Sequence, residues 1–206
     1  MAEPTRPRVL VVGDSITHSA HGRLLDALTP VVAEVRILAW GGTAPCDWIG
    51  PVADEVAAFD PDLVLLEFVG NDLTPCIAGT PRGSDGFVDR SRADAVELTA
   101  VASRFGAIVR WTSIPPIAVP AYDAIAVELN GIYRSLSHEG VLTPLREALT
   151  VNGGFGFTDT CRGEAECDGV AVGTSVPLRS DDGLHLAEAG SARMAELYRA
   201  AVVRVV

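Results

Sequence analysis

Residues 8–17 read Arg-Val-Leu-Val-Val-Gly-Asp-Ser-Ile-Thr. Val9 to Val12 is a continuous apolar run, the pattern of a strand buried on both faces, and Gly13 lets the chain bend sharply after it. A helix is predicted next, with His21, Leu24, Leu25 and Leu28 at helical spacing and Pro30 as its stop. Outward from this unit the alternation continues. Val35 to Trp40 predicts a second strand ending at Gly41-Gly42, and residues 51–59 a short helix closed by Asp60-Pro61. Leu63 to Val69 predicts a third strand, again ending in glycine, Gly70. Residues 77–88 form a Gly/Pro/Ser-rich loop, followed by a helix from Arg90 to Phe105 and a strand from Ala107 to Thr112. Ile125, Leu129, Ile132, Tyr133 and Leu136 mark another amphipathic helix, and Met194, Leu197, Tyr198, Ala201, Val202 and Val205 a terminal one. Residues 150–183 have little periodicity and read as mostly loop. Strands alternating with helices predict an α/β chain with a parallel sheet covered on both faces. A length of 206 residues suits a single domain over residues 1–206.

Composition removes several classes of function. All 16 basic residues are Arg, so no lysine is present to form a Schiff base or to reach a phosphate from a P-loop. A net charge of −11 argues against nucleic acid or an anionic membrane as partner. No apolar run is long enough to span a bilayer. The polar start, residues 1–8, has no apolar core of the length a signal peptide needs, which places a full-length chain in the cytoplasm. A trimmed chain whose cysteines pair would belong outside the cell or in its envelope. Four cysteines without a C-x-x-C spacing argue against a zinc ribbon or thioredoxin motif.

In parallel sheets ligands bind beyond the carboxyl ends of the strands. Three predicted strand ends carry Gly13-Asp14-Ser15, Gly41-Gly42-Thr43 and Gly70-Asn71-Asp72, which suggests one shared site. Ser15 falls at a strand-to-helix turn, where its backbone N–H favours developing negative charge; alone, it would read as an ordinary helix cap. His185 follows Asp182 by three residues, so one turn could supply both a base and the carboxylate that orients it, with Asp181 the competing carboxylate. The Asn71 amide could donate to an oxyanion, although Gly-Asn-Asp alone is more often a turn.

In this order the four segments resemble the sequence blocks of the SGNH (GDSL-type) hydrolase superfamily, over nearly the whole chain from residue 8 to the terminal helix. The resemblance implies a three-layer α/β/α, flavodoxin-like fold. It implies Ser15 as nucleophile, His185 as general base and Asp182 as its orienter, with an oxyanion hole from Ser15, Gly41 and Asn71. Gly42 is the alternative to Gly41. The activity implied is serine ester hydrolysis through an acyl-enzyme, on short acyl or O-acetyl esters of a small molecule or glycan, with no metal and no organic cofactor. The alternatives are an acyltransferase with the same triad and a silent carbohydrate-binding relative. The cysteine-bearing stretch between Asn152 and Ser180 resembles loops of secreted actinobacterial relatives.

If Gly41 and Asn71 share one oxyanion hole, Cys46 and Cys76 lie at equal chain distance beyond it, and a Cys46–Cys76 disulfide is expected. Cys161 and Cys167 are expected to form a second, local bond. His18 and His21 read as ordinary helix positions rather than a metal site. Trp40 and Trp48 read as core packing, with a substrate-stacking wall as the alternative, and Glu67, inside an apolar strand, needs a buried partner such as an Arg.

Overall fold

A computed structural model describes residues 6–167 and 169–204. The central sheet has four parallel strands, β1 (Arg8–Gly13), β2 (Glu34–Ala39), β3 (Leu63–Glu67) and β4 (Ile108–Trp111), in the order β2-β1-β3-β4. Val9 to Val12 and Leu63 to Leu66 are fully buried, as unbroken apolar runs require, whereas the edge strand β2 is only partly covered. Beyond β4 a parallel bridge pairs Thr112 with Thr143, in the place a fifth strand would take.

Helices cover both faces. α3 (Pro45–Phe59), α4 (Phe87–Ala102) and α5 (Pro120–Leu136) pack in succession, while α2 (His21–Leu28) pairs with α8 (Glu188–Val203). The three-layer α/β/α arrangement expected from the sequence is present. Between the layers, Trp111 stacks on Tyr133 with ring centroids 4.2 Å apart, and Phe68 closes the cluster at 6.1 Å from Trp111.

Several boundaries differ from expectation for local reasons. A one-turn helix, α1 (Ser15–Ser19), precedes α2, so the nucleophile candidate opens a helix of its own. α3 starts at Pro45 rather than residue 51, because proline suits the first helical position and Asp47 caps the start by accepting from the Ala44 N–H at 2.8 Å. The stretch read as mostly loop contains the antiparallel pair β5 (Thr158–Thr160) and β6 (Ser175–Pro177), with α7 (Glu164–Cys167) between them. Strands of three residues are too short for alternation to register. α6 (Leu145–Leu149), also unforeseen, packs against α8. Val205 and residues 1–5, part of the sequence-based expectations, lie outside the described residues. Among the described residues no helix is long and apolar enough to cross a membrane.

Candidate active site

The order of the sheet reverses between β1 and β3, the point at which parallel sheets of this kind place their ligand sites. The Gly13-Asp14-Ser15 turn stands at that point. Asp14, not Ser15, caps α1: its Oδ1 accepts from the Ile16 N–H at 3.0 Å. The capping role that would have explained Ser15 as a structural residue therefore belongs to its neighbour, and Ser15 sits half-buried in the first turn. Gly13 is required here, because a Cβ would lie 2.1 Å from Thr17 Oγ1 and 2.9 Å from the Glu67 carbonyl oxygen.

The loop after β2 comes beside this turn. An added Cβ on Gly41 would lie 3.7 Å from Ser15 Cβ, whereas one on Gly42 meets nothing within 4 Å. Gly42 supplies the left-handed turn, with φ of 79°. Of the two candidate glycines, Gly41 is thus the one against the serine. Trp40 is 69% exposed, so its reading as a core residue is corrected: it stands past the last β2 residue, beyond the helical cover. Trp48 does pack partly against the core, and its indole N–H donates to Thr43 Oγ1 at 2.9 Å.

Asn71 joins all three loops. Its Nδ2 donates to Asp14 Oδ2 and to the Thr43 carbonyl, both at 3.0 Å. Both amide hydrogens are therefore engaged, where the sequence suggested a free oxyanion donor. A second clamp lies further out: Cys46 and Cys76 form a disulfide with a Cα separation of 6.1 Å, and Thr74 Oγ1 donates to Asp47 Oδ1 at 2.6 Å. Cys161 and Cys167 also pair, with Cα atoms 5.3 Å apart, closing α7.

The candidate base and its carboxylate come from the tight turn ahead of α8. His185 Nδ1 and Asp182 Oδ2 are 2.6 Å apart, and Asp182 Oδ1 accepts the backbone N–H groups of Leu184 and His185 at 2.8 and 3.0 Å. Asp181 makes no such bond to the ring; the choice of Asp182 follows from the three-residue reach. The hydrogen bond to His185, with the Leu184 N–H, holds the Asp182 carboxyl down to about 2. His185 lies close enough to Asp14, the residue before Ser15, for its charge to act on that carboxyl. Gly183 turns the chain with φ of 70° and packs under Phe155 and Phe157.

Arg179 was not foreseen. Only 4% exposed, it donates to the carbonyl oxygens of Leu184 at 2.9 Å and Pro116 at 3.1 Å, tying the residue before His185 to the loop after β4. No local spacing in the sequence marks it, since its partners are backbone atoms. Glu67 also departs from expectation: its partners are Thr17 and Asp14 rather than an arginine. Burial raises both carboxyls, Glu67 well above the ordinary range; Asp14 raises Glu67 further, whereas the Glu67 contact lowers Asp14.

Among the described residues, the grouping with metal-ligand spacing is Cys46, Asp47 and Cys76, and its sulfurs are bonded to each other. His18 and His21 are exposed and outside it. A cavity of about 560 Å³ beside α8 is lined by Ala148, Glu166, Arg193 and Leu197, but Arg193 is already paired with Glu166 and Asp159.

The fold has close counterparts among solved structures. A lipase/acylhydrolase from Enterococcus faecalis shares 18% identity at a TM-score of 0.63, over 95% of this chain and 94% of that one. An acetylxylan esterase from Geobacillus stearothermophilus, solved as a catalytic mutant, shares 12% at 0.63, over 98% and 96%. A psychrotrophic esterase from Pseudoalteromonas sp., inhibited by monoethylphosphonate, shares 15% at 0.60, over 96% and 97%. These likenesses identify the architecture as the SGNH hydrolase fold. No curated protein matches the sequence. Over residues 8–200 the sequence matches a family described as "Protein of unknown function (DUF459)", and the chain belongs to that family.

Proposed function

We propose that the protein is a serine ester hydrolase that works through an acyl-enzyme on Ser15. The observation that carries this reading is the His185–Asp182 contact of 2.6 Å, in a turn whose histidine acts on the charge of Asp14 beside Ser15. A serine hydroxyl needs a base to take its proton, and the base needs a carboxylate to fix its tautomer. With Nδ1–H donated to Asp182, His185 Nε2 is left as the acceptor for the Ser15 proton. Ser15 Oγ attacks the ester carbonyl, and the resulting oxyanion is held by the backbone N–H groups of Ser15 and Gly41. Asn71 would add a third donor once its amide releases the Thr43 carbonyl. His185 then protonates the leaving alkoxide, and water repeats the sequence to free the acid.

The neighbouring folds support this reading, since the solved structures it resembles are named as esterases and acylhydrolases. A short acyl group suits a site with no inserted lid among its described loops. The two disulfides favour an oxidising location, outside the cytoplasm. A transferase would use the same groups, with an alcohol in place of water. The test is hydrolysis of p-nitrophenyl acetate, butyrate and octanoate, with and without an added alcohol or sugar. The reading expects turnover that declines with chain length; release of p-nitrophenol only in the presence of the acceptor would favour the transferase. No turnover of any ester would remove both.

A further inference from the structure

Two carboxyl groups lie in the core directly behind the Ser15 turn, and the reaction drawn above uses neither. Gly13 pairs with Glu67 across β1 and β3, which brings Asp14 and Glu67 together; they are 0% and 1% exposed. Asp14 is fully supplied with donors. Its Oδ1 accepts from the Ile16 N–H at 3.0 Å, and its Oδ2 from the Val69 N–H at 2.8 Å and Asn71 Nδ2 at 3.0 Å. Glu67 is supplied on one oxygen only. Oε2 accepts from the Thr17 N–H at 3.2 Å and Thr17 Oγ1 at 2.9 Å, whereas the buried Oε1 meets no donor.

An ionised carboxylate can only accept, so two such groups side by side cannot bond to each other. Asp14 and Glu67 are nevertheless within hydrogen-bonding reach of one another. The charged groups facing them do not neutralise the pair. Arg179 spends its donors on the carbonyls of Leu184 and Pro116 and acts on Glu67 only through its charge. His185 acts on Asp14 in the same way, Tyr133 of α5 and Tyr198 of α8 are buried neutral groups, and Arg82 faces Tyr133. Leaving Oε1 unpaired would cost the desolvation of a charged oxygen; one proton removes both that cost and the repulsion.

We propose that Asp14 and Glu67 hold a single proton between them at neutral pH, carried on Glu67 Oε1 and donated to Asp14, and that Glu67 is thereby a positioning residue for the Ser15 turn. Ser15 directly precedes the two anchor points the pair provides, Ile16 on Asp14 and Thr17 on Glu67. Loss of the proton places two anions in contact beneath it and loosens both anchors. The kinetic part of the test rests on the ester-hydrolase reading; the others do not.

Both carboxyls are raised in the folded protein, so the folded state binds more protons than the unfolded chain above the ordinary carboxylate range. Stability that is full at acid pH is therefore lost as pH rises through the ionisation of Glu67. Glu67→Gln keeps a donor toward Asp14 and an acceptor for Thr17 without a proton to lose. Melting temperature is to be followed from about pH 5 to about pH 10 for wild type and Glu67→Gln. The wild type is expected to decline on the alkaline side and the variant to stay level. In p-nitrophenyl acetate hydrolysis, wild-type kcat/KM should fall about tenfold per pH unit on its alkaline limb, and Glu67→Gln should lack that limb. Glu67→Ala should lose about tenfold or more at neutral pH, with Glu67→Gln recovering most of the loss.

Superimposable pH profiles in wild type and Glu67→Gln would overturn the proposal. So would an alkaline limb that persists in the variant, since it would belong to a group other than Glu67. If Glu67→Gln does not fold, carbon-13 spectra of wild type labelled at its glutamate carboxyls decide. One glutamate still protonated at neutral pH is expected, and all ionised would overturn it. If no ester is turned over, the functional reading fails while the melting and spectroscopic measurements still judge the pair.

Discussion

The amide of Asn71 has two hydrogens, and each holds a different loop: one bonds Asp14 beside Ser15, the other the Thr43 carbonyl beside Gly41. Asn71→Ala is therefore expected to lower kcat by about 10²–10³, the loss of one oxyanion donor. It should also lower stability by about 1 kcal/mol for the broken tie, read as a shift in the urea midpoint. Asp182 acts differently. Its carboxyl is depressed to about 2, so its support of His185 is present above the ordinary carboxylate range and persists until pH approaches that value. Asp182→Asn should cut kcat about 10⁴-fold with little change in KM. The Asp182–His185 contact was legible because residue type and a spacing of three residues carry it. The Thr17–Glu67 contact was not, because it depends on strand register and on the missing Cβ of Gly13.

At the scale of elements, the start of α3 and the loop after β3 are fastened to each other by the Cys46–Cys76 bond and by Thr74 on Asp47. These segments continue the loops that carry Gly41 and Asn71. The bond spans 30 residues, for which chain entropy gives a stabilisation of about 3–4 kcal/mol. Cys46→Ser with Cys76→Ser should lower the melting temperature accordingly and reduce kcat more than KM, since the oxyanion loops lose their fixed spacing. Titration in denaturant should find no reactive thiol in the wild type, consistent with the absence of free cysteines among the described residues. The apolar runs Val9 to Val12 and Leu63 to Leu66 made β1 and β3 readable, because burial on both faces favours apolar residues at successive positions. The β5–β6 pair escaped notice because each strand has three residues and only Val176 among them is fully buried. Trp40 was misread since an aromatic beside a strand says nothing of whether helices cover it.

Across the whole molecule, the strand order sets the loops after β1, β2 and β3 side by side, with Gly41 against Ser15 and Asn71 bonded to Asp14. Those loops could be located in the sequence by their glycines. The chain carries a net charge of −11. Anionic esters should therefore be turned over more slowly than neutral ones of equal size. Their kcat/KM should rise as salt is increased towards about 0.5 M, while neutral esters stay level. The central claim is that Ser15 is an activated nucleophile. The most direct measurement of it is covalent labelling with a fluorophosphonate, read by intact mass and peptide mapping. The account predicts one adduct per chain, on Ser15, absent from Ser15→Ala and greatly slowed in His185→Ala, with the melting temperature of Ser15→Ala unchanged. An unlabelled protein, or an adduct on any other residue, would contradict it.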